Sequence, residues 1–422
     1  MVVDAGGRGQ AIAKKLAGEG LEVIVSPGNP GNEAFAHSTG VGIGNINGQL
    51  EAAERYDADL TIVGPEDALN QGIAWAWRTA QFFGAHTRER AIFAPSARQA
   101  WVESDRSFAK KFAQAREVPI GGFDEYTDKQ EAMRDVAALD SDDERYWPLF
   151  VKDNGLHQGK GVTTCFTPEE VEAAVAALDH FVIETNVPGP ELSHHAFCDG
   201  KTQLSIPFVV RDHKQLLVDG MPEMTGGMGV IGPLPEYSLK EVNELGETFA
   251  APVAEGLGFK GMLFSGLKGH KGAEKLLEWN ARFGDPETQV FMRLMKGDLL
   301  PVIMACVEGD LQNLTAPEWE LGTYAACLVL AAPGYPSEPR KNLLIEGIEE
   351  AAKLDGVDVL QAATTKRSDQ LCTDGGRVIN IIATADSVED AAARAYCAAD
   401  KISFDGQPPV TRPNIGASSE RL

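Results

Sequence analysis

In the stretch Leu276-Leu277-Glu278-Trp279-Asn280-Ala281-Arg282-Phe283-Gly284-Asp285-Pro286-Glu287-Thr288-Gln289, a carboxylate, an amide and a guanidinium stand at every second position. Leu276–Trp279 reads as a strand, and strand side chains alternate between faces, so Glu278 and Asn280 share one. A carboxylate and an amide oxygen are hard ligands, suited to Mg²⁺ held jointly with phosphates. Arg282 follows on the same face, where a guanidinium can grip a transferring phosphoryl group. The polar face of an edge strand is the competing reading, but it leaves the dense polar run after Arg282 without a reason.

A second segment, Lys152-Asp153-Asn154-Gly155-Leu156-His157-Gln158-Gly159-Lys160-Gly161-Val162, comes directly after a strand pattern at Leu149–Lys152. Glycines let backbone approach a phosphate and lysines neutralise it. Gly161 follows Lys160 where a Walker A loop needs Ser or Thr, so the segment suits a hairpin closing over a triphosphate. An ordinary glycine-rich hairpin with exposed lysines fits the same residues. Three further segments are weaker alone. Thr225-Gly226-Gly227-Met228-Gly229 offers backbone N–H groups to an anion, or is a plain turn. Arg211-Asp212-His213-Lys214 follows an apolar strand pattern, where a solvated turn is common. Gly6-Gly7-Arg8 lies between a strand and a helix, where a phosphate meets a helix N-terminus, but is not G-x-G-x-x-G. His194 and His195 lack metal-ligand spacing and read as structural.

These residues need a scaffold, and the chain describes one. In the first hundred residues short apolar runs at 1–3, 21–25, 60–63 and 91–93 alternate with helical patterns, the first over Gln10–Ala17. That alternation predicts a parallel, doubly wound sheet whose ligands gather at the carboxyl ends of its strands. Trp101–Glu117 has the spacing of one amphipathic helix. A smaller α+β unit follows, with helices near Lys129–Leu139 and Pro168–Leu178 and strands at Leu149–Lys152 and Phe181–Glu184. Beyond it lie a strand at Leu204–Val210 and a helix at Val242–Leu257. Strands at Tyr324–Leu330 and Val378–Ala383 and a helix at Val388–Ile402 close the pattern.

The 422 residues allow two to four domains of roughly 100–200 residues each. With 43% hydrophobic and 24% charged residues, the chain is not a mainly disordered or collagen-like one. A net charge of −24 disfavours non-specific binding to nucleic acid or an anionic membrane, although a local pocket can still take anions. The six cysteines form no C-x-x-C pair and read as reduced, buried thiols. No apolar run reaches the ~18 residues of a membrane span, and no secretory signal pattern opens the chain, so a cytoplasmic protein is expected.

Taken in order, the segments resemble the phosphoribosylamine–glycine ligases, also called glycinamide ribonucleotide synthetases, which are ATP-grasp enzymes of purine biosynthesis. The resemblance is carried by Gly6-Gly7-Arg8, Pro27-Gly28-Asn29, Leu60-Thr61-Ile62-Val63-Gly64-Pro65-Glu66-Asp67 and Pro95-Ser96-Ala97. It continues through Gly159-Lys160-Gly161-Val162, Asp212-His213-Lys214, Thr225–Gly229 and Glu278–Gln289 to Ala332-Pro333-Gly334-Tyr335-Pro336 and Thr373-Asp374-Gly375-Gly376-Arg377-Val378. It implies an α/β fold with a substrate domain over 1–98 and an ATP-grasp main lobe over 99–118 and 188–316. A mobile lid lobe over 119–187 and a small C-terminal α+β domain over 317–422 complete it. It also implies that ATP, glycine and 5-phosphoribosylamine give ADP, phosphate and glycinamide ribonucleotide through a glycyl phosphate, in a monomer or weak homodimer.

By the same resemblance Glu278 and Asn280 bind Mg²⁺ or Mn²⁺, Lys152 and Lys160 contact ATP phosphates, and Arg106 is a further ATP-binding residue. Glu184, Asn186 and Val187 belong to the hinge that meets adenine, and Glu191 matches a ribose-binding carboxylate. Arg282 and Asp285 lie near the acyl phosphate and glycine, with Asp212, Lys214 and Gly226–Gly229 on the acceptor side. Gly7, Arg8, Asn29, Glu66 and Asp67 hold phosphoribosylamine. The chain departs from the family pattern at Gly9-Gln10, at Arg106 and Asn154 in place of a lysine and an aspartate, at Thr185, and at Met224 in place of an asparagine. These departures keep two alternatives open, a carboxylate–amine ligase with a changed substrate and a non-catalytic nucleotide-binding relative.

Overall fold

The computed structural model describes residues 1–82, 89–139, 146–155, 161–218 and 221–417. The first strands assemble as the alternation predicts. Five parallel strands lie in the order His37–Ser38, Ile24–Pro27, Val2–Asp4, Leu60–Val63, Ala91–Phe93. The order reverses between Val2–Asp4 and Leu60–Val63, and a crevice opens at their carboxyl ends. Asp4, Arg8 and Glu66 sit there. Helix Gly7–Gly18 buries Ile12 and Leu16 against this sheet. The second strand is displaced from the expected 21–25, because Leu21 and Glu22 stay exposed and pairing starts where Ile24 and Val25 enter the core.

The smaller unit is an antiparallel sheet in the order Phe123–Tyr126, Phe181–Glu184, Leu149–Asp153, Val162–Cys165. Helices Lys129–Ala137 and Pro168–Val175 cover it and enclose a separate core around Tyr126, Trp147, Val151 and Phe181. A second antiparallel sheet orders Gln203–Ser205, Glu191–Asp199, Lys260–Lys268 and Lys275–Asn280. A third joins Arg211–Asp212 and Gly229–Gly232 to Tyr324–Ala331, Arg377–Ala385 and Val357–Gln361. Its strands therefore come from both sides of residue 316.

Three further elements differ from expectation. Trp101–Glu117 is two helices, Trp101–Ser104 and Arg106–Ala115. Asp105 between them is extended and its carboxylate accepts the Phe108 N–H, so the second helix starts at a new cap. The strand expected over Leu204–Val210 ends at Ser205, since Pro207 cannot donate to a ladder. The helix expected over Val242–Leu257 contains a π-helical turn, Gly246–Ala250. The Trp279 indole donates to the Phe249 carbonyl of that turn at 2.9 Å. None of the six cysteines forms a disulfide, and all but Cys397 are buried. Among the described residues no helix is long and apolar enough to cross a membrane.

Candidate active site

A cavity of about 770 Å³ opens where the parallel sheet's carboxyl edge, the small lobe and the other two sheets meet. Strand Lys275–Asn280 forms its floor. Glu278 and Asn280 line the cavity together, while the Trp279 side chain is buried in the opposite direction against the π-helical turn. Glu278 Oε1 lies 3.1 Å from Lys214 Nζ, and Oε2 lies 3.8 Å from the Arg106 guanidinium. Lys214, more than the opposing burial, holds the Glu278 carboxyl far below the usual carboxylate range, with Arg106 and Lys152 adding to it. Burial opposes the Lys214 ammonium, but Glu278, Glu191 and Asp212 raise its pKa. The Asn280 Oδ1 accepts from Arg282 at 3.2 Å and its Nδ2 is buried without a partner.

Glu278 and Asn280 thus present a fixed anion and an amide oxygen on one face, a donor set that fits Mg²⁺ or Mn²⁺. Among the described residues no three His, Cys, Asp or Glu form a protein cage, so such an ion would take its other ligands from phosphate and water.

Beyond the strand, Arg282 turns toward the parallel sheet. Its Nε lies 2.8 Å from Glu66 Oε2 and 3.0 Å from Glu103 Oε1. The other Glu103 oxygen accepts the Ala281 N–H at 2.8 Å. Burial, opposed by Arg282 and helped by Glu66, pushes the Glu103 carboxyl up to about 7. Glu66 itself is lowered, chiefly by Arg282. Asp67 is raised by partial burial and by its neighbour Glu66. Arg8 pairs with Asp4 at 2.6 Å and donates to the Phe283 carbonyl at 3.0 Å.

Asp285 is held by Arg377. Its Oδ2 is 2.9 Å from one guanidinium nitrogen, and another donates to the Asp285 and Gly226 carbonyls, each at 2.7 Å. Burial works against ionisation of Asp285, but Arg377 and Arg8 lower its pKa. The Gly226–Gly229 loop packs beside it. Gly227 has φ +105°, and a Cβ there would stand 2.9 Å from Asp212 Oδ1, so the close approach needs glycine. Asp212 is raised well above the usual range by burial and by Glu287, against Lys214.

On the other side lie the residues expected to meet ATP. Lys152 and Lys110 share the Glu184 carboxylate, each at 2.9 Å. Burial opposes the Glu184 charge, yet the two lysines lower its pKa. Arg106 donates to the Asp153 carbonyl at 3.0 Å. Asn186, Val187 and Glu191 line the same end of the cavity beside Phe150, Val162 and Leu277. Asn154 Oδ1 accepts the Ser107 N–H at 2.8 Å and its amide donates to Asp105 at 3.2 Å, tying the small lobe to helix Arg106–Ala115.

Two expected site residues lie away from the cavity. A Cβ on Gly7 would sit 1.8 Å from Asn380 Oδ1, so this glycine serves packing of its helix against strand Arg377–Ala385. The Asn29 amide donates to the Ala5 and Gln361 carbonyls and its oxygen caps the turn at Gly31, which occupies it structurally. Lys160 lies outside the described residues. The other candidates, Arg8, Glu66, Asp67, Arg106, Lys152, Glu184, Asn186, Val187, Glu191, Asp212, Lys214, Glu278, Asn280, Arg282 and Asp285, all line the cavity.

Glu103, Lys110 and Arg377 also line it, and the motifs did not single them out. Glu103 and Lys110 lie in the helical pattern Trp101–Glu117 and Arg377 in Thr373–Val378, but their partners are 179, 74 and 92 residues away. His194 and His195 are fully buried, the first bonded to Ser205 Oγ and the second stacked on Phe264 at 4.4 Å.

Models of the phosphoribosylglycinamide synthetase N domain, ATP-grasp (A) domain and C domain match residues 1–103, 104–288 and 325–418. Phosphoribosylamine–glycine ligase of Caldanaerobacter subterraneus is 35% identical over 96% of this chain and 97% of its own. The Caulobacter vibrioides enzyme of that name is 33% identical over 96% and 95%. The Thermotoga maritima crystal structure of that name superposes with a TM-score of 0.77 at 25% identity, covering 97% and 98%. A biotin carboxylase from Campylobacter jejuni shares the fold at a TM-score of 0.70 and 14% identity, over 100% and 95% of the two chains. With similarity of that depth from end to end, the chain belongs to the phosphoribosylamine–glycine ligases, the phosphoribosylglycinamide synthetase family.

Proposed function

We propose that the chain joins glycine to 5-phosphoribosylamine at the expense of ATP, giving glycinamide ribonucleotide, ADP and phosphate through glycyl phosphate. The observation that carries this is one cavity with two chemically different ends meeting at Glu278, Asn280 and Arg282. At one end Lys152, Arg106 and the hinge of Glu184, Asn186 and Val187 suit a nucleotide, with 119–187 as the lid and Lys160 as a further phosphate contact. Glu191 is placed for ribose. At the other end Arg8, Glu66 and Asp67 suit a phosphorylated sugar amine, beside Asp212 and Lys214.

A carboxylate is a poor electrophile, and phosphorylation supplies a leaving group. A glycine carboxylate oxygen attacks the γ-phosphorus and ADP leaves; the ribosylamine nitrogen then attacks the acyl carbon and phosphate leaves. A divalent cation on Glu278 and Asn280 supplies charge compensation at the phosphates. Arg282, fixed by Glu66 and Glu103, faces the transferring group without needing to reorganise. Asp212 lines the cavity beside Lys214 and the Gly226–Gly229 loop, where it orients the attacking amine. The small lobe excludes water, which would hydrolyse the acyl phosphate.

The test is ADP release by the purified chain with Mg²⁺, ATP and phosphoribosylamine generated in situ, with and without glycine. The expected result is release that needs both partners, with glycinamide ribonucleotide identified by mass. Glu278→Ala is expected to lower that release by about 10²-fold or more. Release with other amine and amino-acid pairs only, or unchanged release in Glu278→Ala, would reject the assignment.

A further inference from the structure

Glu184 ends strand Phe181–Glu184 of the small lobe and is 4% exposed. Its Oε2 accepts from two ammonium groups at once, and its Oε1 is buried without a partner. Lys152 reaches it from the neighbouring strand Leu149–Asp153. Lys110 reaches it from helix Arg106–Ala115, outside that sheet. Both lysine side chains are at least nine-tenths buried, and both line the cavity. One carboxylate and two ammonium groups leave a surplus positive charge where each buried ion is costly. One lysine would already neutralise Glu184, so the second needs a reason.

The reason lies in what Lys152 must do. In the structure its ammonium is engaged by Glu184, whereas phosphate binding requires that ammonium to face a ligand oxygen. With no second cation, the move would strand a buried carboxylate, which is strongly unfavourable. We propose that Lys110 is a positioning residue, the standing counter-ion of Glu184 that lets Lys152 exchange its ion pair for a nucleotide phosphate. This rests on reading the cavity as a nucleoside triphosphate site. Lys110 itself stays on Glu184, so it acts through Lys152 and also keeps the small lobe registered on the helix that carries Arg106.

The experiment is calorimetric titration of the full chain with the Mg²⁺ complex of the imido analogue of ATP. Wild type, K110R, K110M, E184Q and K110M/E184Q are compared. K110M is expected to weaken binding by about tenfold or more, because Lys152 becomes the sole partner of Glu184. In the E184Q background the same change is expected to cost less than about threefold, because no buried anion is left to compensate. K110R keeps the charge and is expected to stay within about threefold of wild type. An equal loss in both backgrounds, or no loss in either, overturns the proposal. Should K110M not fold, E184Q against K110M/E184Q carries the test: matched affinities support it and a tenfold loss overturns it. Wild type that binds no nucleotide would overturn the site reading itself, a result separate from a wild type that binds while Lys110 proves irrelevant.

Discussion

Arg282 shows how a single side chain is prepared for one task. A guanidinium in a largely buried site needs counter-charge, and here two carboxylates meet its Nε within 3.0 Å. Glu103 does more than balance charge, since it also accepts the Ala281 N–H at the end of the strand that carries Glu278 and Asn280. Glu103→Gln keeps the geometry and loses the charge, and is expected to lower kcat by about tenfold while leaving nucleotide affinity intact. Steady-state kinetics beside calorimetry checks it. Stability supplies a second readout. The folded chain holds the Glu103 proton up to about pH 7, against 4.5 for the ordinary group. The folded state therefore binds more protons across that window, and the contribution present below pH 4.5 is lost as pH rises through 7. Denaturant titrations from pH 4.5 to 7.5 should show this decline in wild type and less of it in Glu103→Gln.

Among the elements, the break between helices Trp101–Ser104 and Arg106–Ala115 decides most. Asp105 caps the second helix and also accepts from Asn154 of the small lobe. The aspartate usual at 154 in this family would face the Asp105 carboxylate at that distance. Asn154, one of the departures that motivated a silent relative, is thus matched to its partner. Asn154→Asp is expected to cost about 1–2 kcal/mol, and Asp105→Ser in the same chain to recover most of it. Urea unfolding of the two single variants and the double variant measures the coupling. The Asp105 contact gives that departure a structural reason.

For the whole molecule, the third sheet is the integrating feature. Strands Arg211–Asp212 and Gly229–Gly232 pair within the same sheet as Tyr324–Ala331 and Arg377–Ala385. The Gly226–Gly229 loop is therefore built on the C-terminal sheet and pinned by Arg377, while the opposite end of the cavity rests on the small lobe. Arg377→Lys loses the forked geometry that holds Asp285 and Gly226 together. It is expected to raise KM for glycine or phosphoribosylamine by about tenfold with nucleotide affinity within about twofold. Separate KM measurements for each substrate check this. A parallel loss of nucleotide affinity would mean the two ends are not independent.

How much was legible in the chain followed from the range of each interaction. Strand Leu60–Val63 and the shared face of Glu278 and Asn280 follow from alternation and from turn residues a few positions away. Local steric preference sets these, so the residues themselves determine them. The motifs that mark the family are likewise contiguous. What the tertiary structure alone decided is which distant groups meet. Glu103 finds Arg282 across 179 residues and Arg377 finds Asp285 across 92. Lys110 shares Glu184 with Lys152 across 74. Asn29 looks like a ligand in its Pro-Gly-Asn turn, yet packing brings the Gln361 carbonyl to its amide. Periodicity carries no information about such pairs. Burial does, because a charge removed from water has to find its partner wherever the fold places one.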